Sequence, residues 1–392
     1  MINDQSNTQG TQNILLIHTC PWALTIESNL PLNFKNASTE MTIFEHLLRP
    51  FLLAVICFLV FNFYTVVHKT KLTFQGAAYL IFCNDKTWPK QPDPKSFFPN
   101  NDDKGKVEKK TIIFVRHGES TWNDTFNKGP HRSASKFVIG FIPGLIKACT
   151  YEFYLLLAGK VDSWFYDSPL SLLGLEQVGT LSSYLKQNPN DITQDPQEKL
   201  MLQILRKDPS APESVLVSSS LRRAISTVAA SFQDRLLRNP SENIMILPSL
   251  QEISRNPDTL SITPPKTNVS PSWVDASYDK VDFKTIFQRQ VDMNLHLGNK
   301  PIDTNGYKRM KEFCHVAFGN IDEEYIIVGG HSIWFRSFFK EFLPRDSFHV
   351  GKKKKVVNCG AVSFSLLKTY DNGEEKFMIE EDSIRVVYGG FK

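Results

Sequence analysis

The longest apolar segment of this chain lies near its N-terminal end. Residues 51–67 carry no charge, and Leu47 and Leu48 extend the segment toward its start. A helix needs about 20 apolar residues to cross a bilayer, so the pattern predicts one membrane-spanning helix over residues 47–68. The segment lacks a basic start and lies far from the first residue, which does not fit a cleaved signal peptide. The remaining alternative is a buried core helix.

Beyond residue 106 the apolar positions form short runs that alternate with helical patterns. Three such runs end at Val115, Val217 and Val328, and a helical pattern follows each of them. Alternating strands and helices favour a parallel sheet that is covered on both faces. The sequence therefore predicts an α/β three-layer sandwich with a mostly parallel sheet and helices on both faces, preceded by the transmembrane helix. Helices are expected to begin near Leu173, Leu221 and Trp334.

Polarity and proline content divide the chain into segments. Residues 1–46 are predicted to be a polar, irregular segment that precedes the membrane helix. Residues 69–106 are predicted to be a linker, because the prolines in their second half argue against helix. One domain is expected to fill residues 107–392, with an apolar insertion at residues 128–166.

Composition limits the function classes that fit. The formal net charge of +4 is small for 392 residues, so no nucleic-acid partner is expected. The six cysteines are scattered and favour neither a disulfide framework nor a metal site. The only basic run is Lys352 to Lys355. A solvated loop is the favoured interpretation of this run, and contact with anionic lipid headgroups is the alternative.

Candidate chemistry lies where two predicted strands end. The strand that reaches Val115 runs into Arg116 and His117, and the strand that reaches Val328 runs toward His331. The carboxyl ends of parallel strands meet at one edge of a sheet, where α/β folds bind ligands. We therefore expect an active site at that edge, with both histidines in it.

Three further motifs lie between the two histidines. They are Asp-x-Pro-Leu followed by Gly-x-x-Gln at residues 167–177, Ser-x-Leu-x-Arg-Ala-x-x-Thr at residues 219–227, and an acidic residue at Glu252. In this order, together with the Arg-His-Gly strand end and the late histidine, they resemble the histidine phosphatase superfamily, also called the phosphoglycerate mutase-like family. The resemblance covers residues 107–392.

The residues supply what phosphoryl transfer needs, and the resemblance implies their roles. His117 would be the nucleophile and would form a phosphohistidine that water hydrolyses. Arg116, Arg223 and His331 would form a cationic pocket around the phosphate oxygens. Asn123 would add a neutral donor.

Glu252 is predicted to be the general acid for the leaving group and then the base for the attacking water. This chemistry requires no metal ion and no other cofactor. The register of the family places the essential guanidinium at Arg223, and Arg222 is predicted to point to solvent. Ser332 follows the second histidine where the family usually has glycine, so a required positive φ there would distort the site.

Three functions compete. A phosphomonoesterase is favoured, with an unknown substrate. A phosphoglycerate-type mutase is an alternative, but the segment after Glu252 differs from that of glycolytic mutases, and no cations for a second phosphate are identifiable in the sequence. A catalytically inactive, membrane-tethered binding module would be expected to lack one of the four core residues, and none is missing: Arg116, His117, Arg223 and His331.

The insertion at residues 128–166 follows the nucleophile loop and is expected at the mouth of the pocket. It could be a helical excursion packed on the domain, or a membrane-facing lid that admits an amphiphilic phosphate ester. Pro143, Lys147 and Glu152 argue against a second span. Lysines that follow residues 47–68 predict a single-pass protein with a cytoplasmic catalytic domain. The oligomeric state has no signature in the sequence.

Overall fold

A computed structural model describes residues 32–98, 107–127 and 133–392, with side chains from residue 46 onward. Three predicted segments lie partly outside the described residues, namely residues 1–31 of the polar segment, 99–106 of the linker and 128–132 of the insertion. The chain divides into two compact units, Met1–Phe63 and Tyr64–Lys392.

The first unit contains helix α1, Leu32–Phe61. Residues 32–46 are therefore helical rather than irregular, and the helix predicted over residues 47–68 is divided at Asn62. Both the backbone N–H and the side-chain amide of Asn62 donate to the carbonyl of Phe58, at 2.9 and 3.2 Å. An asparagine side chain that bonds to the preceding turn competes with the helical ladder, which explains why the helix ends here.

Helix α2, Phe63–Phe82, packs on the second unit with one face. Leu72 and Tyr79 are buried, and the hydroxyl of Thr65 donates to the carbonyl of Gly159 at 2.9 Å. A side chain at Gly76 would come within 2.9 Å of the Tyr166 ring, so glycine permits this close approach. Residues 69–82, which the sequence analysis assigned to a linker, are instead a helix of the domain.

A seven-stranded sheet forms the centre of the second unit. Its strands are β1 Glu108–Arg116, β2 Ser214–Ser219, β3 Ile244–Leu247, β4 Val291–Asp292, β5 Tyr325–Gly330, β6 Ala361–Asp371 and β7 Glu374–Tyr388. The spatial order is β4-β3-β2-β5-β1-β6-β7. The first five strands in this order pair in parallel, and β6 and β7 add an antiparallel edge. The prediction of a mixed α/β fold with a mostly parallel sheet is confirmed.

Helices cover both faces of this sheet. They are α3 Thr121–Phe126, α4 Ala134–Leu157, α5 Leu172–Lys186, α6 Pro189–Ile192, α7 Pro196–Arg206, α8 Arg222–Ser231, α9 Gln233–Arg238, α10 Phe283–Arg289, α11 Gly306–Gly319 and α12 Ser332–Phe342. Ile113 and Val115 of β1 join an apolar core with α5, α7 and α8. Ile112 and Phe114 point to the other face, where they pack with α11 and α12. This alternation follows from the two-residue period of a strand.

Helix α4 occupies most of the apolar insertion. Its apolar side chains at Val138, Ile139, Ile142 and Ile146 are more than half exposed. Within the part of the chain that the structure describes, α4 is long and apolar enough to cross a membrane. Residues 46–61 of α1 meet that criterion only when they are taken together with α2. Pro143 is one of the residues that argue against a span in the insertion, yet it lies inside this helix without ending it.

Candidate active site

The two candidate histidines meet at the carboxyl edge of the sheet. β1 and β5 are parallel neighbours in which Arg116 is paired with Gly330, so the residues that follow both strands emerge side by side. The N–H of His117 donates to the carbonyl of Gly330 at 3.0 Å. The ring centroids of His117 and His331 are 5.0 Å apart.

The loop after His117 is held by the two motifs that lie next along the chain. The N–H of Gly118 donates to the Thr227 hydroxyl at 3.1 Å, and the N–H of Glu119 donates to the Gln177 amide oxygen at 2.9 Å. A Cβ at Gly118 would lie 2.7 Å from the carbonyl oxygen of Gly174, so both glycines permit close backbone contact. Gln177 and Thr227 therefore hold the backbone of the loop that follows His117.

His117 has the protonation state that a nucleophile requires. Its Nδ1 lies 2.5 Å from the carbonyl oxygen of Gly118, and a carbonyl only accepts, so Nδ1 carries the proton and Nε2 the lone pair. Burial lowers the pKa of His117 well below its usual value, and the charges of Arg223 and Arg116 lower it further. The imidazole is therefore neutral at pH 7.

Two buried guanidinium groups flank this imidazole. Arg116 donates through Nη1 to the carbonyl of Val356 at 2.7 Å, and Arg223 donates through Nη1 to the carbonyl of Asp258 at 2.7 Å. Burial lowers the pKa of Arg116 to about 10, so it remains charged at neutral pH. The Nε groups of Arg116 and Arg223 are buried and have no hydrogen-bond partner among the described residues. Such donors are rare in native structures and would suit phosphate oxygens.

His331 lies beside His117 and is fully buried. Its Nε2 is 2.8 Å from the hydroxyl of Ser219, and its Nδ1 is buried without a partner among the described residues. Burial lowers the pKa of His331 well below its usual value, and Arg223 and His117 lower it further. An anion bound here would reverse the effect of these positive charges and favour a protonated ring.

Glu252 is fixed by the start of α12. Its carboxylate accepts the backbone N–H groups of Ile253 at 3.0 Å, Trp334 at 2.8 Å and Ile333 at 3.2 Å. Ser332 is the first residue of this helix and does not have a positive φ. The departure from glycine after the second histidine therefore causes no backbone strain.

One cavity of about 440 Å³ collects five of the six predicted site residues. They are Arg116, His117, Asn123, Arg223 and Glu252, while His331 lies against His117 without lining the cavity. The Asn123 amide oxygen accepts from Asn127 at 2.6 Å. The structure thus brings the predicted residues together, as the strand-edge argument expected.

Asp258 is a carboxyl group of this cavity that the sequence analysis did not single out. Its Oδ2 lies 3.3 Å from Nη2 of Arg223. Burial raises the pKa of Asp258 to about 6, although Arg223 opposes that shift. The residue lies in a proline-rich loop, Asn256 to Ser272, where spacing gives no signal of its position.

The prediction that Arg222 points to solvent is wrong. Its side chain is buried, and its Nη2 donates to Asp162 at 2.7 Å and to the carbonyl of Asp167 at 3.2 Å. Asp167 also accepts the N–H of Arg222 at 2.8 Å, which caps the start of α8. Two acids from the loop before α5 therefore draw Arg222 inward, and they leave Arg223 to the cavity.

Asp85 lies in a segment that was predicted to be a linker, and it supports the loop that carries Glu252. Its fully buried carboxylate pairs with Lys300 at 2.7 Å and Arg309 at 2.6 Å. Lys300 also donates to the carbonyls of Glu252 and Ser254, at 2.7 and 2.6 Å. Burial by itself raises the pKa of Asp85, but the charges of Arg309 and Lys300 bring it below its usual value.

The lysines of the predicted basic loop have separate environments. Lys352 donates to the carbonyls of Pro344 and Ser347, at 2.9 and 3.0 Å, so it closes the end of a neighbouring turn. Lys355 lines the cavity, as does Lys392. Only Lys353 and Lys354 are exposed as a solvated loop would require. No extra cations near the site are identifiable in the sequence because Lys355 and Lys392 lie far apart along the chain.

No group of three or more His, Cys, Asp or Glu residues in the described part of the chain is placed to hold a metal ion. The five cysteines in the described ranges have free thiols, and Cys20 lies outside those ranges.

No protein-family model matches the sequence, and no curated protein is significantly similar to it. Solved structures that match include a mycobacterial glucosyl-3-phosphoglycerate phosphatase, with 13% identity, a TM-score of 0.31, and coverage of 72% of this chain and 99% of that chain. The ecdysone phosphate phosphatase of the silkworm Bombyx mori matches with 15% identity, a TM-score of 0.31 and coverage of 65% and 88%.

A phosphoserine phosphatase mutant from Entamoeba histolytica matches with 13% identity, a TM-score of 0.27 and coverage of 69% of this chain and 96% of that chain. These values are too low for the likeness to carry functional information about this chain. What the cavity can do depends on its own residues.

Proposed function

We propose that this chain hydrolyses phosphate monoesters through a phosphohistidine on His117, with side chains supplying the positive charge at the phosphate. The observation that supports this most directly is the pairing of a neutral imidazole with buried guanidinium donors. The Nε2 lone pair of His117 is available because Nδ1 donates to Gly118. Beside it, Arg116 and Arg223 have buried Nε donors that form no hydrogen bond with any described residue.

The reaction takes place in two steps. Nε2 of His117 attacks phosphorus, the bond from phosphorus to the ester oxygen breaks, and an acid protonates the departing alkoxide. Water then attacks the phosphohistidine, a carboxylate accepts its proton, and inorganic phosphate and free His117 result. The guanidinium groups of Arg116 and Arg223 stabilise the equatorial oxygens in both steps.

Glu252 is the proposed proton donor and acceptor. Three backbone N–H groups orient its carboxylate toward the cavity, and that arrangement suits a base for water. Asp258 is a second candidate for the donor, because its pKa of about 6 leaves part of it protonated near neutral pH. A mutase and an inactive binding module remain the alternatives.

Membrane attachment is a separate part of the proposal. Helix α1 has four apolar side chains that are each more than 60% exposed, Phe51, Leu53, Val60 and Phe61. An apolar surface of this kind is unfavourable in contact with water. We infer that α1 enters the bilayer and that the cavity faces the cytoplasm. Protein that leaves the membrane fraction in alkaline carbonate, where integral proteins stay, would contradict the first inference.

Hydrolysis by the full-length chain in neutral detergent, with a chelator present, tests the proposed chemistry. We expect release of p-nitrophenol from its phosphate, loss of that activity in His117→Ala, and an acid-labile phosphoenzyme when turnover is quenched. His315→Ala is the matched control, because this histidine is exposed and pairs with Glu375.

Glu252→Gln separates the acid role from binding. Loss of the proton donor should reduce the turnover of an alkyl phosphate by roughly 10²–10⁴-fold and affect p-nitrophenyl phosphate less, because nitrophenolate leaves without a proton.

Equal activity of wild type and His117→Ala would show that His117 is not the nucleophile. Bisphosphate-primed mutase assays and searches for binding partners would then take precedence.

A further inference from the structure

Lys355 and Lys392 face each other across a short antiparallel pairing at the rim of the cavity. The N–H of Lys392 donates to the carbonyl of Lys355 at 2.9 Å, and the N–H of Lys355 donates to the carbonyl of Lys392 at 3.3 Å. Residues that exchange both bonds lie directly opposite, with their side chains on the same face of the ribbon. Both lysines line the same cavity as Arg116, and the charge of Lys355 acts on the ammonium group of Lys392.

The charges of these two lysines are not balanced locally. Neither ammonium group forms an ion pair with a residue in the described ranges, and the polar contact of Lys392 is with the amide oxygen of Asn358 at 3.4 Å. Like charges directly opposite each other destabilise a sheet. Burial lowers the pKa of both lysines, and the charge of Arg116 lowers it further. Arg336 adds more positive charge near Lys355.

The carboxylates of the cavity do not compensate for this charge. Glu252 and Glu119 raise the pKa of Lys355 and Lys392 respectively, but by less than burial lowers it. Glu252 is already held by three backbone N–H groups. A pair of converging ammonium groups in a concave site is a binding arrangement for an anion.

We infer that Lys355 and Lys392 form a subsite for a second anionic group of the substrate. The inference rests on the proposed function and narrows it: the substrate is a phosphate ester that carries another phosphate or a carboxylate. One phosphate binds between Arg116 and Arg223 at His117, and the second anion binds at the lysine pair. Asn358 connects the two places, because its amide also lies 3.5 Å from the carbonyl of His117.

The test compares esters that differ only in the second group. The full-length chain in neutral detergent is offered propyl phosphate, propane-1,3-diyl bisphosphate and the phosphate ester of 3-hydroxypropanoate. We expect kcat/KM to be about tenfold or more higher for the two esters that carry a second anionic group, equivalent to about 1.4 kcal/mol. The same esters with an alkyl tail in phosphatidylcholine vesicles distinguish a membrane-borne substrate from a soluble one.

Substitutions assign the preference to the lysine pair. Lys355→Met and Lys392→Met should each lower the ratio of bisphosphate to monophosphate kcat/KM toward one, and Lys355→Arg should keep it high. Lys353→Met is the matched control, because Lys353 lies in the same basic run but is exposed. Its ratio should equal that of the wild type.

The possible outcomes distinguish failure of the proposed subsite from failure of the proposed hydrolysis at His117. A wild-type ratio near one, with hydrolysis that depends on His117, overturns the subsite and leaves the proposed function intact. A high ratio that both methionine variants retain also overturns it. If no ester is hydrolysed, the proposed function fails, and calorimetric binding of the bisphosphate then decides the subsite: equal affinity in wild type and Lys355→Met overturns it.

Discussion

The guanidinium of Arg223 stands between two anions, the proposed phosphate and the carboxylate of Asp258. Nη2 of Arg223 lies 3.3 Å from Asp258, and the pKa of that carboxyl group is raised by burial to about 6. Below this pH Asp258 is neutral and the guanidinium is available to the substrate. Above it the ionised carboxylate competes for the same donors.

Asp258→Asn should therefore change the pH dependence in a defined direction. The amide imitates the neutral acid at every pH, so the ratio of variant to wild-type kcat/KM should increase from pH 5 to pH 7.5. We expect about a tenfold increase, equivalent to roughly 1.4 kcal/mol. Steady-state rates with one aryl phosphate provide the ratio, in which the ionisation of the substrate cancels.

Asp282→Asn is the control, because Asp282 is exposed in the cap of a distant helix. A constant ratio for Asp258→Asn over this pH range would contradict the competition. A ratio far below one at pH 5 would instead assign the proton-donor role to Asp258 rather than Glu252.

The sequence predicts the proximity of residues whose chemistry coincides with a strand end. Arg116, His117 and His331 follow apolar runs, and parallel pairing of β1 with β5 makes those ends neighbours. It failed where position depends on long-range pairing. Lys355 and Lys392 become neighbours only through an antiparallel contact that no local pattern announces.

At the scale of single elements, α4 connects the cavity with a broad apolar surface. Trp122 lines the cavity, its ring lies 4.3 Å from that of Phe126, and Phe126 lies 6.2 Å from Phe141 of α4. The exposed residues Val138 and Ile142 continue on α4 one helical turn apart. An amphiphilic ester could place its phosphate in the cavity while its chain follows this path.

Val138→Ser combined with Ile142→Ser should therefore lower the turnover of phosphate esters held in vesicles but leave the turnover of a short soluble ester unchanged. Two lost apolar side chains remove roughly 3 kcal/mol or more of burial in lipid, which predicts at least a tenfold decrease in rate at limiting vesicle concentration. Leu237→Ser on α9 is the control, because this residue is similarly exposed. Equal losses with both substrates would indicate a structural role for α4 instead of a lid at the membrane.

Helix α4 occupies most of the predicted apolar insertion, but the sequence did not predict where the N-terminal helices begin and end. The absence of charged residues identifies an apolar segment, but it does not show at which residue the helix ends. The bond from the Asn62 side chain to Phe58 ends α1, and contacts such as that of Thr65 with Gly159 attach the next helix to the domain.

At the scale of the whole molecule, the compact unit that holds the candidate site extends further toward the N-terminus than the motifs indicate. Residues 107–392 contain the predicted catalytic residues, yet the carboxylate between Lys300 and Arg309 is supplied by Asp85. A chain that begins after this residue would leave two buried cations without their partner. Removal of one member of a buried ion network costs about 3–5 kcal/mol.

Asp85→Asn should lower the free energy of unfolding by a similar amount, about 3–5 kcal/mol. Urea unfolding of the full-length chain in detergent, followed by tryptophan fluorescence, measures the change. Asp346→Asn is the control, because Asp346 pairs with Lys95 in an exposed position, and its substitution should change the midpoint little. A loss below about 1 kcal/mol for Asp85→Asn would show that the network is not a major contributor to stability.

The Asp85 network also has a consequence for biosynthesis. Asp85 precedes Lys300 by 215 residues, which at 5–20 residues per second is roughly 10–40 s of translation. During that interval the carboxylate has left the ribosome while its partners have not been made. The central strand β1 is likewise made before its pairing partners β5 and β6. The Asp85 network therefore cannot form on the nascent chain until Lys300 and Arg309 have also been made.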